Sequence, residues 1–393
     1  MSGTVKKRLN FVDVARSFAI FLAIFSHAMI DFGGWDLLSS DQVLIRVISR
    51  SATPLFIFMF GMMLELVYFK RYEQQGLQPI TQRLVKRSLQ CFIGYQLTVL
   101  AGLIGGSLTP MHAAGAALFL ADAHFGNILR FYSIALLLAI PLLMFRQRYK
   151  SLGMIGLLGG IWITYPILTA LNIRDLSMFS GLGGVLFGIV GNHHGPSVLY
   201  GFTFLIVGML VASSLANWRE QGLGAFYQTA TMVLGLCGAI IVGLVVSSSA
   251  SEVAQNFVTM EAYRAQNHPG YYAIGLFLCM CILILLSLLV PLHHSLPGWS
   301  AVPMEFGRSS LTAYTLGNVV LNLTPAFVVG TTAAMAIGIS IGYLLILLVL
   351  LHAYNTGLER VKPQFHNYML KFTQAPRDHP PSTAVRVVRY LLS

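Results

Sequence analysis

FVDVARSFAIFLAIFSHAMIDF, residues 11–32, is apolar on nearly every side and long enough to cross a bilayer. Twenty-two residues of α-helix span about 33 Å, against a hydrocarbon core of about 30 Å. The segment nevertheless carries Asp13, Arg16 and His27. An ionisable side chain near the bilayer centre costs at least about 2.5–3.5 kcal/mol. Arg16 and His27 are eleven residues apart, close to three whole helical turns, so they share a face about 16 Å apart along the axis. Asp13 precedes Arg16 by one turn and can pair with it. One stripe of this helix therefore carries an ion pair towards one end and an imidazole towards the other.

The rest of the chain has the same character. Of 393 residues, 56% are hydrophobic and 10% charged, and the mean hydropathy is +0.71. Soluble domains carry about 25% charged residues, so this chain uses lipid as solvent. Apolar runs lie near 11–30, 47–69, 86–106, 128–146, 151–171, 198–217, 226–248, 271–291, 308–328 and 333–354. They are continuous rather than alternating, which favours helices over barrel strands. The expected fold is all-α: a polytopic integral membrane helix bundle of about ten transmembrane helices. A Gly-rich piece at 178–191 is too short to span and reads as re-entrant or interfacial. Pro54, Pro141 and Pro166 are expected to interrupt helices.

The net charge of +11 reads as topology, not as nucleic-acid binding, because no aromatic-basic recognition motif accompanies it. Lys6, Lys7 and Arg8, the cluster Lys70, Arg71, Arg83, Lys86 and Arg87, the cluster Arg146, Arg148 and Lys150, and Arg219 all fall on alternate connections. With the basic residues after the last run, they place both termini in the cytoplasm. Arg46, Arg50, Arg174 and Arg264 are the exceptions on the outer side. Cys91, Cys237, Cys279 and Cys281 all lie in apolar runs and read as core residues. The first run reads as a retained helix rather than a signal peptide. Two regions follow: a membrane domain, 1–362, and a basic amphipathic tail, 363–393, ending STAVRVVRYLLS and expected on the anionic inner leaflet.

The pattern of Asp13, Arg16 and His27 in RLNFVDVARSFAIFLAIFSH (8–27) resembles the first-helix signature of the transmembrane acyltransferase superfamily. That group takes in the family-three acyltransferases, the lysosomal heparan glucosaminide N-acetyltransferase and the succinyltransferases of osmoregulated periplasmic glucans. SATPLFIFMFGMMLELVY (51–68), ILRFYSIALLLAIPLL (128–143) and EFGRSSLTAYTLGN (305–318) are similar to later segments of the group, in the expected order. Two departures stand out. Relatives often carry a His shortly after the late Tyr, where Gly317 and Asn318 stand here, and the glucan type often has Arg-Gly where Arg16-Ser17 stands.

The resemblance implies acyl transfer in a bacterial cytoplasmic (inner) membrane, from cytoplasmic acetyl-CoA or succinyl-CoA to a hydroxyl of an extracytoplasmic glycan, with periplasmic glucan succinylation as one instance. It gives His27 the role of base, with Arg16 and Asp13 beside it in the catalytic set. Histidine suits that role because it titrates near neutrality. No carboxylate is placed by sequence to orient His27. Candidates for acyl-CoA phosphates or the acyl carbonyl are Arg83, Arg87, Arg130 and Arg308, with Ser310, Tyr132 and Tyr314. Arg308, Ser310 or a backbone amide could also hold the oxyanion. The partners expected are acyl-CoA as donor substrate, the glycan and the bilayer, with no bound cofactor and homodimerisation left open. His112, His124, His193-His194 and His293-His294 fall in loops without carboxylates at ligand spacing, so no metal is assigned. The outer loop SEVAQNFVTMEAYRAQNHPG (251–270) reads as a solvated loop or an acceptor groove. Two other classes compete: a secondary transporter of a small anion, with His27 as proton relay, and a non-catalytic polysaccharide export partner on the same fold.

Overall fold

Each of the ten apolar runs is mostly helical over its described residues in the computed structural model, which describes residues 9–38, 43–170, 180–188, 196–216, 218, 222–259, 263–290, 304–324 and 332–373, with side chains to 357 in the last segment. We number them α1 (Asn10–Asp31), α2 (Val43–Gln75), α3 (Leu77–Ile104), α4 (127–149), α5 (151–170), α6 (Val198–Ser214), α7 (Gly224–Ser247), α8 (Pro269–Leu289), α9 (Ser310–Leu323) and α10 (Ala333–Thr373). Counted as continuous helices, six are long and apolar enough to cross a membrane: α1, α2, Asn127–Ala170, α7, α8 and Ala333–Gly357. No strand occurs among the described residues.

The 44-residue helix Asn127–Ala170 would run about 66 Å if straight, twice a bilayer. It is broken at Lys150, whose φ of 56° and ψ of −156° lie outside the helical region. The break falls between the two apolar runs, within the basic cluster. The prolines do not break helices. Pro54 sits in the first turn of Ala52–Met63, where its missing N–H is harmless, and Pro141 and Pro166 lie inside unbroken helix.

Packing follows residue size. The Ala52–Met63 part of α2 lies along α6, and a Cβ on Gly61 would overlap the Leu205 carbonyl while one on Gly208 would overlap that of Phe58. Lipid supplies no hydrophobic drive between helices, so close backbone approach over small residues is what joins them. α6 is buried nearly all round, through Phe204, Leu205, Ile206, Met209 and Val211. α7 pairs with α8 and turns Met232, Leu236, Val242 and Val246 outward, a face suited to acyl chains. Cys281 also points outward, unlike the buried Cys91, Cys237 and Cys279. α1 is central, touching α2, α8, α9, α10 and a short helix, Glu305–Arg308.

Three segments depart from the sequence reading. Residues 180–187 form a helix of two turns, and the remainder of 178–191 lies outside the described residues apart from Gly188. The loop 251–270 contains the helix Ala250–Val258, which buries Val253 and Phe257 and packs on Val43–Arg50. α10 continues through the expected boundary at 362 to Thr373, and 374–393 lie outside the described residues.

Arg146, read as a topology charge, is buried against Glu65, with N–H groups donating to both carboxylate oxygens at 2.7 and 3.2 Å. Glu65 lies in a π-helical turn, Leu64–Phe69, and the guanidinium rests over the Phe69 ring at 5.0 Å. Removing one partner strands a buried charge. Glu65→Gln is therefore expected to destabilise the protein by about 3–5 kcal/mol, with Glu65→Leu/Arg146→Met recovering most of the loss. Thermal unfolding of the detergent-solubilised protein measures this, and a single variant as stable as wild type would contradict it.

Candidate functional site

A cavity of about 450 Å³ lies at one end of the bundle. Its walls are the last third of α1, Ser49–Phe56, the connection and first turns around 107–131, Gly184, Val185, Pro196, Val198, Arg264 and Tyr314. Every connection that contributes follows an odd-numbered helix. Among the described residues, those after α2, α4, α6 and α8 contribute nothing. That alternation is what a chain threading back and forth across one slab produces.

His27 lines the cavity. Its Nδ1–H donates to Asn318 Oδ1 at 2.7 Å. With the Asn318 amide in this orientation its oxygen can only accept, which puts the ring proton on Nδ1 and leaves Nε2 its lone pair. The imidazole stacks on Phe125 (centroids 4.5 Å, 18° between planes) and meets the edge of Tyr314 at 5.8 Å. Tyr314 Oη–H donates to the Phe125 carbonyl at 3.0 Å. One turn beyond Asn318, the Asn322 amide donates to the carbonyls of His124 and Asn318 at 3.2 and 2.8 Å and accepts from Ser107 Oγ at 2.9 Å. α9 thus orients the imidazole and fixes the segment that stacks on it. The partner that sequence reading could not name for His27 is Asn318, one of the two departures from the family pattern.

The other end of α1 is held by the same neighbour. Arg16 lies 3.8 Å from Asp13 and its Nη2–H donates to Ser310 Oγ at 3.5 Å. Ser17 Oγ accepts the Gly307 N–H at 2.9 Å, and a Cβ on Gly307 would overlap that oxygen. This close approach is the physical reason for glycine before Arg308. Arg16 and His27 therefore share one face, met by Ser310 and Asn318 of α9. Midway along α9 Tyr314 touches Phe56 (6.0 Å), which touches Tyr132 (5.2 Å), whose Oη–H donates to the Phe56 carbonyl at 2.8 Å. These rings separate the cavity from the Arg16 end.

The remaining candidates divide. Arg130 lines the cavity and is buried, donating to Asp122 Oδ1 at 2.6 Å and the Ala121 carbonyl at 2.9 Å. Arg83 and Arg87 are exposed on α3, away from the cavity, and Arg87 donates to Gln90 at 3.1 Å. Arg308 is exposed, 3.7 Å from Glu305, on the short helix before α9. Ser310 lies about 12 Å along α9 from Asn318, and Arg308 precedes it on the short helix, so neither meets an oxyanion formed at His27.

Sequence reading passed over Arg50, Arg264, His112, Asp122 and His124, all of which line the cavity. His124 Nε2 is 3.8 Å from Asp31, and His112 Nε2–H donates to the Asp122 carbonyl at 2.8 Å. The available signal was the exceptions to the basic-inside pattern, since Arg50 and Arg264 are two of the four. His193, His194, His293 and His294 lie outside the described residues. No metal-binding cluster occurs among the described residues.

The Asn318 bond has a direct readout. In ¹⁵N-histidine spectra His27 is expected as the Nδ1–H tautomer, and Asn318→Ala should release it to a mixture dominated by Nε2–H. An unchanged spectrum would remove Asn318 from the role.

Residues 8–183, less than half of the chain, match the family described as heparan-alpha-glucosaminide N-acetyltransferase, catalytic. The matched span holds Asp13, Arg16, His27, Arg130 and Tyr132 and ends before α9. No curated protein matches the chain.

Proposed function

We propose that this chain is a membrane-bound O-acyltransferase that moves an acetyl or succinyl group from cytoplasmic acyl-CoA to a hydroxyl of an extracytoplasmic glycan. The observation that carries the reading is the His27 imidazole, bonded through Nδ1 to Asn318, in a cavity at one end of the bundle. The family match over 8–183 supports acyl transfer. The basic clusters on the opposite connections put both termini and the Arg16 end in the cytoplasm, with about ten crossings between the two faces.

On this reading the glycan enters the cavity from outside and the thioester reaches it from the Arg16 end. The acceptor oxygen attacks the thioester carbonyl as His27 Nε2 takes its proton. The tetrahedral intermediate collapses by breaking the carbon–sulfur bond, and the departing thiolate takes the proton back from His27. Ester and free thiol result, and the imidazole is regenerated without a bound cofactor. The Thr53 hydroxyl, which lines the cavity, is a candidate donor to the oxyanion. Arg16, Ser310 and Arg308 stand where an anionic donor would first meet the protein. Arg83 and Arg87, exposed on the same side, lie nearer its headgroup region than its thioester.

Purified protein in nanodiscs, incubated with radiolabelled acetyl-CoA or succinyl-CoA and an envelope glycan fraction, tests this. Wild type should pass label to the glycan, and His27→Ala should lower kcat by about 10²–10⁴-fold. Arg16→Ala should chiefly raise KM for the donor. Transfer by His27→Ala at the wild-type rate would overturn its assignment. Folded wild type inert with both donors would overturn the transferase and favour anion transport.

A further inference from the structure

The chain between α3 and α4 reads GGSLTPMHAAGAALFLA over 105–121, with no Lys, Arg, Asp or Glu. α3 ends at Ile104, and Pro110–Ala117 then forms a short helix capped by Thr109. That helix is folded back along α3. Tyr95 Oη–H donates to the Ala116 carbonyl at 2.8 Å and the Gln96 amide to that of Ala117 at 3.0 Å. The Phe119 ring meets Tyr95 at 5.3 Å and Phe92 at 5.9 Å. Tyr95 precedes Ile104 by nine residues, so the chain has returned about 14 Å from the outer end of α3 towards its middle.

The backbone of the returning stretch is supplied with side-chain donors. The Ala121 carbonyl takes an Arg130 N–H at 2.9 Å and the Asp122 carbonyl takes His112 Nε2–H at 2.8 Å. The His124 carbonyl takes the Asn322 amide at 3.2 Å and the Phe125 carbonyl takes the Tyr314 hydroxyl at 3.0 Å. A loop in water leaves such carbonyls to solvent, whereas non-helical backbone at membrane depth must find its donors in the protein. The outward side chains agree: Met111, Leu118 and Leu120 are 84%, 70% and 49% exposed. The helix Ser180–Phe187, too short to span, abuts this stretch, where a Cβ on Gly181 would overlap the Leu120 carbonyl. It turns Leu182 and Phe187 outward, and Gly184 and Val185 to the cavity. The two elements form one wall, apolar on its outer face, with His112, Asp122, His124 and Phe125 lining the cavity on the other.

We propose that this wall is re-entrant in the outer leaflet and that the acceptor is lipid-anchored. Its hydrocarbon chain lies against Leu118, Leu120, Leu182 and Phe187, and its headgroup enters beside the Gly181–Leu120 seam to present a hydroxyl to His27. The word acceptor rests on the acyltransferase reading, and the lipid-facing wall does not. A glycan arriving from water would meet apolar side chains at this rim. A membrane lipid already holds its chain at this depth, so only its headgroup has to move.

Two measurements on full-length protein in phosphatidylcholine nanodiscs test the two halves. Nitroxides on Leu118→Cys and Leu120→Cys, each in a Cys281→Ser background, should collide with dissolved oxygen and be shielded from a water-soluble nickel chelate. Ready access of the chelate to both would overturn the re-entrant wall. Next, wild type is given radiolabelled acetyl-CoA or succinyl-CoA and a whole envelope fraction that includes its lipids, and the product is partitioned in Triton X-114. Label should enter the detergent phase with the amphiphiles. Leu118→Gln/Leu120→Gln should lower the initial rate about tenfold, the scale of one lost apolar contact, and leave the ¹⁵N signals of His27 unchanged. Label recovered only in the aqueous phase, or transfer by the double variant at the wild-type rate, would overturn the lipid-anchored acceptor and keep the transferase. No label from either donor, with the nitroxides shielded, would overturn the transferase and with it the acceptor, and leave the wall standing.

Discussion

A helix that carries Asp13, Arg16, Ser17 and His27 along one side cannot turn that side to lipid, and most of the architecture answers this constraint. α9 and the short helix before it meet the whole stripe: Gly307 against Ser17, Ser310 against Arg16, Asn318 against His27. Positions 16 and 17 meet 307 and 310 at one end, and 27 meets 318 at the other, so α1 and α9 run in the same sense although nearly three hundred residues separate them. Once α1 is committed to α9 on this side, its other sides are left to the apolar surfaces of α2, α8 and α10. The innermost position of α1 thus follows from its polar residues as much as from its apolar ones.

The same accounting separates the buried charges. Arg146 with Glu65, and Arg130 with Asp122, are closed pairs whose geometry is complete without a ligand. They hold α4 against α2 and against its own preceding loop. A closed pair reads as architecture. Arg50 and Arg264 are open, and they sit in the wall where His27 offers a free ring nitrogen. Burial follows the same division: Arg130 and Arg146 are buried, whereas Arg50 and Arg264 are only partly so.

Period and hydropathy made the elements legible: each apolar run proved helical, and the break at Lys150 fell where two runs met. The stripe on α1 was equally legible, because a helical repeat of 3.6 puts positions 16 and 27 on one side whatever surrounds them. The partners of that stripe were hidden for a physical reason. Asn318 meets His27 across 291 positions of sequence, and no local pattern marks one amide among many as the acceptor for a distant imidazole. Glu65 was hidden in the same way, reading as the end of an apolar run until a π turn placed it beside Arg146. Arg50 and Arg264 were visible as violations of charge asymmetry, but only the fold brings the start of α2 and the connection after α7 to one cavity wall.

The ring chain between the two ends explains how one imidazole could serve reactants from opposite faces. Tyr314, Phe56 and Tyr132 lie between His27 and Arg16 with apolar edges, and both phenol hydroxyls are spent on backbone carbonyls, Tyr132 on that of Phe56 and Tyr314 on that of Phe125. A charged headgroup gains nothing by entering such a layer, because each group it would bind there is already taken. A slender, mostly uncharged arm ending in a thioester loses far less. On the proposed reading the layer therefore sorts the donor by its own polarity. The phosphates stop near Arg16 while the acyl carbon reaches the imidazole about 16 Å further along α1.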